Sequence, residues 1–146
     1  MSNKLNSKML FNVNGLDTMQ NQSIINGNST GICNLNNVKY EWTKKLYTKM
    51  MGNHWIPEKV NMQKDKITIN ELTKEEDIAV RSTLSFLIFL DSLQVNNLPN
   101  IQDVITDPSV NNLLAIQTFQ EVVHTQSYQY ILESLYPSMD RDDIYN

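Results

Sequence analysis

A single cysteine, Cys33, among 146 residues rules out an internal disulfide and any metal site built on a cysteine cluster. It reads as an incidental thiol. Histidine is almost as scarce, with only His54 and His124 available to any imidazole-based site. Basic residues are outnumbered: 12 Lys and Arg face 16 Asp and Glu, for a net charge of −4, and no basic cluster interrupts that balance. A surface that tracks nucleic-acid phosphates is therefore not expected. No apolar run reaches the roughly 20 residues that span a bilayer, and the N-terminus lacks the apolar core of a secretory signal. Internal repeats are also absent. With 40% hydrophobic residues and mixed charges, the chain reads as one soluble, cytoplasmic domain with a modest core and no membrane partner.

What is present begins quietly. Residues 1–37 are crowded with Asn, Ser and Gly and carry no regular apolar period, so this stretch is expected to be largely extended or disordered. From Val38 the pattern turns helical: Val38, Trp42, Leu46 and Met50 form an apolar stripe, and Gly52-Asn53 closes it. Trp55 follows, and Pro57 forbids a continued regular helix. Taken alone, Trp55 is a hydrophobic plug under the helix end. Thr73-Lys-Glu-Glu76 is a capping box that starts a long helix, and Asp107-Pro108 starts a second one running to about Leu135, where Tyr136-Pro137 stops it. Between them, the segment containing Pro99 is expected to be a connection, with a short helical turn from Ile101.

The chemistry concentrates in those two helices. Phe119-Gln-Glu-Val-Val-His-Thr-Gln-Ser-Tyr128 spaces Glu121, His124 and Tyr128 at i, i+3 and i+7, which stacks carboxylate, imidazole and phenol on one helix face. Glu-x-x-His offers one oxygen and one nitrogen to the same ion, as in carboxylate-bridged di-metal bundles. By itself the pattern is common and more often only solvates a helix. Leu84-Ser-Phe-Leu-Ile-Phe-Leu-Asp-Ser-Leu93 is apolar nearly all round, and Asp91 sits inside it. Such a carboxylate needs a cation, a strong donor or a proton; alternatively it lies near a helix end and escapes to solvent.

Together, Phe89-Leu-Asp-Ser-Leu-Gln94, Asn97-Leu-Pro-Asn100 and Glu121-Val-Val-His-Thr-Gln-Ser-Tyr128 resemble the radical-generating small (beta) subunit of class I ribonucleotide reductase. Upstream, His54-Trp-Ile-Pro-Glu-Lys-Val60 resembles the family's tryptophan motif, and Ile24 to Ile32 its segment that wraps along the bundle. The likeness runs from about Ile24 to the last residue. It implies an all-α chain forming about half of a ferritin-like four-helix bundle, with residues 38–146 as the first half of the helical domain. It further implies Asp91, Glu121 and His124 as metal ligands, Tyr128 as the radical-bearing phenol and Trp55 as the electron relay. The cofactor would be di-iron, or di-manganese. The partners would be the large (alpha) subunit and a second small subunit, and the function would be to start reduction of ribonucleotides to deoxyribonucleotides for DNA synthesis.

Only half of the ligand set is encoded. Met51 stands three residues before His54, so no second Glu-x-x-His exists, and the second metal's Glu, Glu and His have no counterparts. The family's C-terminal tail is missing as well. A gene split by an intervening element, a truncated copy or an incomplete gene model is expected, the chain being inactive alone; a complementary C-terminal fragment completes it where the missing half is encoded elsewhere. Rival readings are another di-iron bundle, such as an oxidase, a desaturase or an iron store, and a non-catalytic helical fragment. The half-set also predicts an unpartnered apolar face at Phe86, Leu87, Leu90 and Leu93.

Overall fold

The computed structural model describes residues 9–145; the part of the expected extended segment at residues 1–8 lies outside the described residues. Five α-helices follow one another: α1 (Trp42–Gly52), α2 (Gln63–Thr68), α3 (Lys74–Val104), α4 (Pro108–Leu135) and α5 (Ser138–Tyr145), with 3-10 turns at Pro57–Lys59 and Ile69–Glu71. Among the described residues there is no strand, only an isolated bridge between Ile25 and Ile105. The fold is all-α, as expected. Two compact units share the chain, and both long helices contribute to each.

The first unit joins the described residues up to Asn53 with Asn97–Thr118. Its leading segment has no helix before Trp42, yet from Asn12 on it is tied down by hydrogen bonds. Asp17 accepts the Ser29 hydroxyl at 2.7 Å and the Thr30 amide at 3.0 Å, while the Gln22 side chain donates to Asn37 and accepts from the Lys39 amide, each at 2.9 Å. Side chains here do the work that a ladder does elsewhere, which is what Asn, Asp and Ser are suited to. Gly15 is needed because a Cβ there would collide with the Ser29–Thr30 backbone. Thr106 anchors the far side: its amide donates to Ile24 at 2.8 Å, and its hydroxyl donates to Ser23 and accepts from Gly27 at 2.8 Å each.

Within this unit the expected α1 stripe is corrected. The helix begins at Trp42, so Val38 lies outside it and is buried independently, whereas Trp42 and Leu46 are exposed and Thr43 is the buried helical residue. A second correction concerns Pro99, which lies inside α3 rather than in a connection. An interior proline costs about 3 kcal/mol through its missing N–H and its clash with the preceding turn. Burial of Leu98 and Ile105, at roughly 1.5–3 kcal/mol each, is enough to offset that and carry the helix on to Val104. By length and composition α3 is also long and apolar enough to cross a membrane, contrary to the expectation from uninterrupted runs. Ser and Thr break the run without making the average polar, but Asp91 inside the helix would be costly in lipid.

The second unit holds His54–Asn96 and the residues from Phe119 on. The capping box forms at the start of α3, with Glu76 accepting from the Thr73 amide at 2.8 Å and the Thr73 hydroxyl accepting from the Glu76 amide at 3.2 Å. Its core is Leu84, Leu132, Tyr136 and Ile144, with Val80, Ile88 and Tyr128 packed against it. Leu132 is completely buried. Asp77 meets Tyr136 while Asp91, farther along α3, meets Tyr128 earlier in α4, so the two helices run antiparallel. α5, which the sequence reading did not anticipate, brings Ile144 into that core. On the other side of α3, Phe86 is 59% exposed and Leu90 and Leu93 are exposed too, although Leu87 is half-buried.

Candidate metal centre

The antiparallel pairing in the second unit brings Asp91 of α3 against Glu121 and His124 of α4. Nδ1 of His124 lies 3.0 Å from Oε2 of Glu121 and 3.4 Å from Oδ2 of Asp91. One ligand atom from each of the three side chains lies within 4.8 Å of the other two. An ion bound at about 2.0–2.2 Å separates neighbouring ligand atoms by about 2.8–3.6 Å at octahedral or tetrahedral angles. Both measured distances already fall in that interval.

Burial sharpens the point. The Asp91 and Glu121 side chains are 14% and 13% exposed, against 34% for His124. Asp91 does not escape at a helix end, because α3 continues well beyond it. Its Oδ2 is buried without a hydrogen-bond partner. An orphaned carboxylate oxygen in such a setting is costly, and a cation is what would relieve it.

Tyr128 stands about one turn after His124, with its phenol hydrogen-bonded to Asp91. Burial pushes its pKa up to about 12, helped by the hydrogen bond to Asp91, the charge of Asp91 and then the charge of Glu121. The phenol consequently keeps its proton at any ordinary pH. Tyr130, on another face, instead donates to the Val60 carbonyl at 2.8 Å, a purely local tether.

Trp55 joins the cluster from the turn after α1. Its indole stacks on the His124 imidazole with ring centroids 5.2 Å apart and planes inclined by 24°. The indole N–H donates to the Ser127 hydroxyl at 3.1 Å. Spacing could have suggested Ser127, three residues after His124 on α4, but nothing in the sequence says which residue comes to meet it. His54 packs against Phe119, with centroids 5.4 Å apart.

Residues 32–146 match the family described as ribonucleotide reductase, small chain. The chain belongs to that family. Ribonucleoside-diphosphate reductase subunit beta of Treponema pallidum is 44% identical over 140 residues, covering 96% of this chain and 40% of the relative. Its counterpart in Aquifex aeolicus is 43% identical over 147 residues, covering 99% of this chain and 21% of the relative. A ribonucleotide reductase R2 subunit from Clostridium botulinum superposes with a TM-score of 0.91 at 45% identity, over 95% of this chain and 43% of that one. The small-chain sequence described here thus spans between 21% and 40% of the length of these curated relatives. Its fold matches part of the family's ferritin-like structure.

A metal ion fits this member of the small-chain family on the chemistry of the donors: two carboxylates, one imidazole and an unanswered buried oxygen. Among the described residues this is the one such group of His, Cys, Asp and Glu.

Proposed function

We propose that this chain supplies one half of a di-metal carboxylate centre in a ribonucleotide reductase small subunit. Asp91, Glu121 and His124 would bind the first ion, Tyr128 would carry a radical and Trp55 would relay an electron. The observation that carries the reading is the convergence of three ligand atoms within 4.8 Å around an orphaned Asp91 oxygen. When bound, a di-iron or di-manganese centre supplies the one-electron oxidising power that no side chain possesses.

The residues of this chain do the rest. Asp91 and Glu121 balance the ion's charge, and the imidazole of His124 completes its side of the site. Asp91 also holds the Tyr128 hydroxyl and is the base nearest its proton, so that loss of an electron from the ring can be matched by movement of that proton to a carboxylate oxygen. Packing of Tyr128 against the Leu132 core shields part of the ring from water. Trp55, half-exposed on one side and stacked on His124 on the other, offers a route for an electron between the site and an outside partner.

The partners in this reading are the large subunit and a second small subunit, in the cytoplasm, and the second ion takes its ligands from helices bearing the other Glu and Glu-x-x-His. Those helices would cover the exposed Phe86, Leu90 and Leu93 face. The product would be deoxyribonucleotides. Without the complementary ligands the chain is expected to be inactive.

Electron paramagnetic resonance tests this directly. Ferrous or manganous ion and an oxidant are added first to this chain and then to its mixture with the complementary half. A tyrosyl signal is expected only in the mixture and is lost in Tyr128→Phe. No signal in either would sink the radical reading, and a signal from the chain alone would overturn its inertness.

A further inference from the structure

We propose that Arg81 keeps Tyr136 reduced, so that an oxidising equivalent placed in this core stays on Tyr128, a role that rests on the radical reading above for its purpose. Two phenols pack on the same Leu132, and each is hydrogen-bonded to an aspartate of α3: Tyr128 to Asp91, and Tyr136, at 3.2 Å, to Asp77. Tyr136 is buried, whereas Tyr128 is half-buried. Neither shelter from water nor a carboxylate at the hydroxyl therefore singles out Tyr128. What differs is a fixed arginine, which Tyr136 has and Tyr128 lacks. Beside Asp91 the basic group is the imidazole of His124, at 3.4 Å.

Escape of the equivalent to Tyr136 is a balanced exchange. One electron passes from the Tyr136 ring to the Tyr128 phenoxyl, Tyr128 regains its proton from the carboxylate that took it, and the Tyr136 proton goes to Asp77, the acceptor that its hydroxyl meets. Arg81 opposes both halves of the loss at Tyr136. Its guanidinium lies 4.3 Å from the ring centre, where a cation is attracted to the electron-rich face and repels the positive charge that builds as an electron leaves. Its Nε also donates at 2.7 Å to Oδ2 of Asp77, while Oδ1 of the same carboxylate takes the phenol. A proton arriving on Asp77 would cancel the charge on which that ion pair depends. Asp140 lies 3.7 Å from the guanidinium but is 46% exposed, so water screens its charge and it offsets little of the cation's field at the ring.

The test places 3-fluorotyrosine at position 136, where a radical carries a fluorine splitting that separates it from the rest of the chain's six tyrosines. A photogenerated ruthenium(III) tris-bipyridine complex takes one electron from the chain, and electron paramagnetic resonance of the flash-frozen sample reads the fraction of tyrosyl signal at 136. With Arg81 in place that fraction should be low. Arg81→Met should raise it about tenfold, the change that one charge at this distance makes in an equilibrium near a protein surface. Arg81→Lys keeps a cation four residues from Asp77 and should restore the low fraction. Adding Asp77→Asn to Arg81→Met removes the proton acceptor, and the fraction should fall again. Equal fractions with and without Arg81, or no fluorine-split signal in any variant, overturn the proposal. An equal rise in the methionine and lysine variants also overturns it, by assigning the effect to side-chain packing rather than charge. The oxidant comes from outside and needs no metal, so these outcomes are independent of the metal-loaded mixture; absence of a Tyr128 signal there sinks the radical reading alone.

Discussion

Tyr128 in the last turns of α4 and Tyr136 just past its end have Leu132 between them, and each gives its hydroxyl to an aspartate of α3, yet the two pairs are opposites. Tyr136 donates to Asp77 at 3.2 Å, Asp77 accepts Nε of Arg81 at 2.7 Å, and the Arg81 guanidinium lies 4.3 Å from the centre of the Tyr136 ring. Asp140 adds a second carboxylate at 3.7 Å from Arg81. This group carries its own cation. Around Tyr128, the only basic group that Asp91 and Glu121 face is His124, and the Asp91 oxygen 3.4 Å from it has no hydrogen-bond partner. A tyrosine–aspartate pair with a built-in arginine is a structural lock, whereas the same pair beside a second carboxylate and an imidazole is a place for a cation from outside.

The largest effect should come from removing what the two pairs share. Leu132→Ala is expected to cost about 2–5 kcal/mol in urea unfolding, because a fully buried leucine leaves a cavity, and both tyrosines should loosen together. If only one of them responds, the two sites do not share a core. Next, a divalent ion at about a hundred times its dissociation constant should stabilise the protein by about 2.7 kcal/mol, and Asp91→Asn should abolish that gain while Asp77→Asn leaves it. Equal gains in both variants would place the ion elsewhere.

A smaller contrast follows without any metal. Arg81→Met should destabilise by about 1 kcal/mol by leaving Asp77 without its cation, while Asp91→Asn should be neutral or slightly stabilising because it removes a charge from beside Glu121. Similar losses from both would erase the distinction between lock and cation site.

The smallest effect is a matter of pH. Both phenols have pKa values raised by burial and by their aspartates, and at Tyr136 the charge of Arg81 opposes the shift. A raised folded pKa means that the stability due to the neutral Tyr128 phenol is complete below the ordinary value of 10.0 and drains away as pH rises towards about 12. Ultraviolet titration should find Tyr128 among the last tyrosines to ionise. In Asp91→Asn it should ionise earlier but still late, since burial is the largest cause; a fully ordinary titration there would show that the carboxylate alone set the shift.

How much of this was readable from the chain depends on the range of the interaction. The Thr73 to Glu76 box, the Asp107 cap, which accepts from the Ser109 and Val110 amides at 3.0 Å each, and the end of α4 at Leu135 formed where local rules put them. The common face of Glu121, His124 and Tyr128 follows from helical spacing in the same way. Pro99 inside α3, the short α5 and the exposed Trp42 and Leu46 were not legible, because each is decided by burial against residues distant in sequence. The partner of Trp55 belongs to the same class: Ser127 is 72 positions away.

Thr106 carries a consequence for the order of assembly. Its hydroxyl is bonded to Gly27 and Ser23 across separations of 79 and 83 residues, so the leading segment gains its anchor only when the start of α4 is already in place. Closing so long a loop costs entropy before any bond repays it, whereas helices α3 and α4 nucleate from neighbours in sequence. In a refolding experiment read by pulse-labelled amide exchange, helical amides should be protected first, and the amides of Gly27 and Thr106 should become protected in one late step.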